Sequence, residues 1–140
     1  MKRHLLTLLC CVIATISARA QSAASYTFSQ SSGTYADLPS PTNIYAFSSS
    51  WDDNVSSGWN IGFTFNYCGT GYTTFNACAN GWITFSTIGS NTYTPLSVKT
   101  NALAILGGDL YRSTAGFVSF QTTGSSPNRV CTIQWKDVCH

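Results

Sequence analysis

The chain has 140 residues, with seven Lys and Arg, five acidic residues and a formal net charge of +2. Every acidic residue is Asp, and Glu is absent. Charge this sparse gives no surface for a polyanion, so nucleic acid is not an expected partner.

Residues 1–20 read as a secretory signal peptide. Lys2, Arg3 and His4 open it, residues 5–16 are an apolar run broken only by Thr7 and Thr15, and Ala18-Arg19-Ala20 fits a small-x-small cleavage site before Gln21. The run is shorter than the ~20 apolar residues of a membrane span, so none is expected. Cleavage removes Lys2, Arg3 and Arg19. The remainder keeps Lys99, Arg112, Arg129 and Lys136 against Asp37, Asp52, Asp53, Asp109 and Asp137, four cations against five carboxylates and a net charge of −1. Residues 21–140 contain 34 Ser and Thr and many aromatics, but little Leu or Lys and no Glu, a composition that favours strands over helices. They form one expected domain, since ~120 residues is close to the commonest domain size.

In chain order, the alternation at residues 26–29 predicts a first strand. Residues 34–38 predict a second, closed by Pro39 and Pro41, and residues 43–47 a third. Residues 48–58, with Trp51, Asp52, Asp53 and Asn54, read as a polar loop. Ile61, Phe63, Phe65 and Tyr67 alternate with polar neighbours, Gly69-Thr70-Gly71 turns the chain, and residues 72–77 continue extended. Asn80-Gly81 predicts a two-residue type I′ hairpin turn, with both residues at positive φ and Trp82 opening the returning strand. Residues 86–100 read as irregular. The apolar run at 102–106 suits a strand buried on both faces, and Gly107-Gly108-Asp109 breaks it. Residues 116–122 and 129–135 form a hairpin across Gly124-Ser125-Ser126-Pro127-Asn128, with Cys131, Ile133 and Trp135 pointing inward. Strands at this spacing predict an all-β fold, an antiparallel β-sandwich of immunoglobulin-like or jelly-roll-like type.

Four cysteines remain after cleavage: Cys68, Cys78, Cys131 and Cys139. In an exported chain an even number predicts two disulfides rather than a zinc site, whose ligand pairs stand closer together. Three pairings are open, and strand parity favours Cys68–Cys78 with Cys131–Cys139. A tight hairpin at 69–71 opposes the first of these, because a bridge needs Cα atoms within ~7 Å.

The ordered series Asp52-Asp53, Ile61-Gly62-Phe63-Thr64-Phe65, Gly69, Tyr72-Thr73, Asn80-Gly81-Trp82-Ile83-Thr84-Phe85, Asp109-Leu110 and Pro127-Asn128-Arg129-Val130-Cys131-Thr132-Ile133-Gln134-Trp135 is distinctive as a set. It resembles the N-terminal β-sandwich module of large surface and secreted proteins that gliding-type Gram-negative bacteria export by the type IX route. The resemblance covers about residues 25–138. It implies placement outside the cell and brings no catalytic residue set. In that family further strands follow the one ending at Trp135, so the chain is expected to be an N-terminal fragment of a longer protein, with one strand edge exposed.

Candidate sites are few. Asp52, Asp53 and Asn54 could help to hold Ca²⁺, but that ion takes six to eight oxygens, so Asp37 or Asp109 would have to converge on them. Trp51 and Trp59, with Tyr45, Tyr72 and Tyr93, could form an aromatic platform for sugar rings. Asn80 and Trp82 are better explained by turn and core than by a ligand. Catalytic triads and dyads need a positioned His, and after cleavage only His140 remains. The expected function is therefore a non-enzymatic structural or adhesion module, secreted or on the outer cell surface, whose partner is a polysaccharide or a surface protein. The alternative is a carbohydrate-binding module, Ca²⁺-supported, recognised by exposed Trp51 and Trp59.

Overall fold

The alternation that begins at Ile61 sets the architecture. Successive strand side chains point to opposite faces, so Ile61, Phe63, Phe65 and Tyr67 turn inward while Thr64 and Asn66 remain exposed. The computed structural model describes residues 27–46, 51–87 and 99–140. Among these, seven strands form two antiparallel sheets. The first contains β1 (Thr42–Tyr45), β6 (Tyr111–Thr123) and β7 (Val130–Cys139) in the order β1-β6-β7. The second is a meander of β2 (Val55–Tyr67), β3 (Thr70–Cys78), β4 (Trp82–Thr84) and β5 (Ala102–Ala104) in chain order. The two sheets face each other as a β-sandwich, as the composition and strand spacing predict.

Burial between the sheets holds them together. Ile61, Phe75, Ala77 and Ile83 of the meander pack on Phe120 of β6, and Ile44, Cys131, Ile133 and Trp135 close around them. Phe75 meets Phe120 edge to face, with ring centroids 5.3 Å apart at 87°. Trp59 meets the same ring at 5.5 Å. A second cluster of Trp51, Ala79 and Val118 extends the core toward one end. The inward set of Cys131, Ile133 and Trp135 is as predicted.

The turns correct the sequence reading. Cys78 pairs with Trp82, so Ala79, Asn80 and Gly81 make a three-residue turn. Only Gly81 has positive φ there, at 77°, as in hairpins that end a type I turn with a left-handed glycine. The two-residue turn with both φ positive lies instead between β2 and β3. Tyr67 pairs with Thr70, and Cys68 and Gly69 have φ of 49° and 80°. Gly69→Val therefore costs about 1–2 kcal/mol, the left-handed penalty of a side chain with Cβ, read as a lower urea midpoint at unchanged slope.

Other differences follow from tertiary packing. Residues 27–29 and 34–38 pair with no strand, and Tyr26 lies outside the described residues. β2 begins at Val55, inside the stretch read as a loop, because Val55 and Ser56 pair with Cys78 and Ala77. The apolar run after Asn101 is a short edge strand rather than a doubly buried one. β5 stops at Ala104, and Ile105 and Leu106 are 73% and 58% exposed.

Tyr35 and Asp37 belong to a clamp on the outer face of β7. Lys136 Nζ donates to Asp37 Oδ2 at 2.7 Å, Gln134 Nε2 donates to Asp37 Oδ1 at 3.1 Å, and Tyr35 OH donates to the same oxygen at 2.7 Å. Gln134 Nε2 also donates to Tyr35 OH. The bonds from Lys136 and Tyr35 hold the Asp37 carboxyl at about 2, below its ordinary 3.8. A folded value below the unfolded one stabilises fully above the unfolded value, and this is lost as pH falls through the folded value. Wild type should thus lose melting temperature more steeply than Asp37→Asn between about pH 4 and pH 2. Parallel acid slopes in thermal melts of the two would remove Asp37 from the account.

Candidate functional site

One end of the sandwich gathers three connections: the 51–54 loop, the 79–81 turn and the 105–110 loop. Asn80 is their hub. Its side chain is 1% exposed. Asn80 Nδ2 donates to Asp53 Oδ1 at 2.8 Å, and Asn80 Oδ1 accepts from the Leu110 backbone N–H at 2.7 Å. Backbone bonds reinforce the junction. Ala79 N–H donates to Asn54 O at 2.9 Å, Ile105 N–H to Gly81 O at 3.1 Å and Arg112 N–H to Trp51 O at 3.2 Å. Gly81 is required twice over, by its positive φ and because an added Cβ would lie 2.8 Å from Leu106 Cβ.

This junction brings Asp52, Asp53 and Asp109 together, with one carboxylate oxygen from each within 4.8 Å of the others. Of the two residues that could have joined Asp52 and Asp53, Asp109 does so. Asp37 is engaged on β7 instead. The Asn54 Oδ1 accepts from the Asp52 backbone N–H at 3.0 Å. Three carboxylates are about half of what calcium takes if each gives one oxygen. His140 packs against Gly108, beside Asp109, but is not part of the trio.

The aromatic candidates are placed in the core. Trp51 is 3% exposed and stacks at a tilt on Tyr45 at 5.6 Å. Trp59 is half-buried against Phe120, and its indole N–H donates to Ser56 Oγ at 2.8 Å. Tyr72 stacks on Phe85 at 4.9 Å. Trp82 is buried, with Lys99 Nζ 4.8 Å from its ring centroid. Trp51 and Trp82 are thus buried, while Trp59 and Tyr72 keep part of their surface exposed. Tyr93 lies outside the described residues.

All four cysteines are free. The favoured pairings do not fit the strands. Cys68 sits in the β2–β3 turn and Cys78 at the opposite end of β3, across from Val55. Eight residues of strand span ~26 Å, far beyond the ~7 Å reach of a bridge. Cys131 and Cys139 stand equally far apart along β7. Parity along a strand decides which face a side chain takes, but not its distance from another. Burial pushes the Cys78 thiol up to about 11 and raises that of Cys131, so both stay protonated at neutral pH and lack nucleophilic character.

The profile of the NIDO-related family matches residues 25–140, well over half of the chain. The chain belongs to the NIDO-related family. NIDO-related domains are typically extracellular and β-rich, in keeping with the two sheets. No curated protein and no solved structure gives a significant match. Among the described residues no helix is long and apolar enough to cross a membrane.

The sequence reading missed the role of the Asn80 side chain. Asn-Gly signals a turn through its backbone, and that signal hides a carboxamide used to join two other loops. The neighbouring Asp52-Asp53 and the isolated Asp109 carried a hint, since polar residues clustered beside loop glycines often serve one junction.

Proposed function

We propose that this NIDO-related chain is a non-enzymatic module that works outside the cell by surface contact, in a structural or adhesive role. The observation that carries this reading is the family match over residues 25–140. The proposal includes export by the type IX route, which rests on the residue series from Asp52 to Trp135, and a polysaccharide or surface protein as the partner. Its chemistry supports binding over turnover. His140 packs on Gly108, and the buried Cys78 thiol and the half-buried Cys131 thiol are held protonated. Burial of Trp51 favours this reading over a platform of exposed Trp51 and Trp59 for sugar rings.

Beads coated with the exported full chain test this against surfaces bearing polysaccharides, surface proteins or albumin. Saturable retention above albumin is expected, with no hydrolysis of chromogenic ester, peptide or glycoside substrates. Turnover proportional to protein concentration, or retention equal to albumin on every surface, would overturn the proposal.

A further inference from the structure

The sandwich is open along the side where β5 edges one sheet and β7 edges the other. A cleft of about 300 Å³ enters there and runs between the sheets. Its walls are almost wholly apolar. Phe63, Phe65, Phe75 and Phe85 line the interior, and Leu103 of β5 and Val130 of β7 stand at the rim, both exposed. Cys131 adds a half-buried thiol that burial keeps neutral. Ligand pockets span roughly 300–1,000 Å³, so this cleft suits a slim molecule rather than a bulky one.

Arg129 is the one charged residue among those lining the cleft. Its side chain is fixed at the mouth by two contacts. Nη1 donates to Gly62 O at 2.8 Å, and the guanidinium lies over the Phe63 ring, 5.4 Å from its centroid. A guanidinium has five N–H donors, so this one bond leaves others for a ligand at the mouth. The guanidinium matches a carboxylate in shape and charge. An apolar slot with a single held cation at its entrance is complementary to a molecule with an apolar tail and one anionic head.

We propose that the cleft between β5 and β7 binds a single-chain aliphatic carboxylate, with its tail among the phenylalanines and its head on Arg129. The tail replaces solvent against Phe63, Phe65 and Phe85. The head reaches Arg129 without leaving water fully, which avoids the cost of burying a charge. The site is separate from the Asn80 loop end, so it adds to surface adhesion and does not depend on it.

Calorimetric titration of the exported full chain with decanoate, below its micelle concentration, tests this, with decanol as the uncharged counterpart. Decanoate should bind saturably at one per chain. Arg129→Gln should weaken decanoate about tenfold, as expected for loss of one charge-assisted contact, and leave decanol within about twofold. Unchanged decanol binding also shows that the variant keeps its cleft. Leu103→Trp, which narrows the exposed rim, should weaken both ligands. The proposal fails if neither ligand binds saturably, or if Arg129→Gln leaves decanoate unchanged. It also fails if sedimentation shows a dimer that decanoate does not disperse, which would make a second copy the occupant.

Discussion

Asn80→Ala should lower the unfolding free energy by about 2–4 kcal/mol. The substitution removes the 2.8 Å bond to Asp53 and the 2.7 Å bond from Leu110 N–H. Leu110 is itself buried, so its N–H is left without an acceptor and without water. An orphaned buried donor costs ~1–3 kcal/mol, and a bond to a charged group contributes ~1.5–3 kcal/mol, less where water can replace it as at half-exposed Asp53. Asn80→Asp separates the two contributions. It keeps an acceptor for Leu110 but sets a fourth carboxylate beside Asp52, Asp53 and Asp109. Its deficit should shrink as pH falls and the carboxylates protonate, and by more than the alanine deficit, which loses only the charge assistance of the Asp53 bond. Urea unfolding at neutral and acidic pH makes the comparison. A loss under about 0.5 kcal/mol for Asn80→Ala, the usual range of surface substitutions, would mean that Asn80 is only a turn residue.

Phe75→Ala carries the second large expected loss, about 3–5 kcal/mol. Phe75 is 1% exposed and lies at the centre of the interface between sheets, between β3 and the Phe120 ring of β6. Truncation removes apolar area and opens a cavity that the strands cannot fill by collapse, because β3 is paired on both sides. Small domains have total stabilities of ~5–15 kcal/mol, so the variant should melt far below wild type or fail to fold at room temperature. Phe28→Ala is the control, since Phe28 is 87% exposed and should change the melt little. Equal effects at the two positions would contradict the packing described for the core.

The sequence revealed the sheets more clearly than it revealed their ends. Ile61, Phe63, Phe65 and Tyr67 announce an inward face because alternation is a local property of the strand. Cys131, Ile133 and Trp135 do so for the same reason. The Cys68–Gly69 turn was harder to see. Gly69 signals a turn, but nothing local gives Cys68 its positive φ, which the register of Tyr67 with Thr70 imposes. The run at 102–106 misleads for a related cause. Apolar content reports burial only when a neighbour exists, and β5 is an edge with Ile105 and Leu106 open to solvent.

The site was legible in part. Asp52 and Asp53 with Asp109 could be nominated from sequence because loop carboxylates near Gly and Asn often converge. Their meeting, however, depends on Asn80 reaching across 27 positions to Asp53 and 30 positions to Leu110. A platform of Trp51 and Trp59 depends on exposure, which the sequence alone does not give. Trp51 instead packs beside Val118, to which β6 contributes from far along the chain. The Arg129 cleft had no signal at all. Arg129 reads as an ordinary loop cation until Gly62 and Phe63 are placed beneath it.

The central claim, an exported NIDO-related module that acts outside the cell, is tested most directly on intact producing cells. A membrane-impermeant amine label is applied, the medium is collected in parallel, and the mass of the labelled chain is read. The account predicts a chain that begins at Gln21, is found in the medium or on the outer surface, and is labelled without lysis. An unlabelled chain that begins at Met1 and is recovered only after lysis would contradict it.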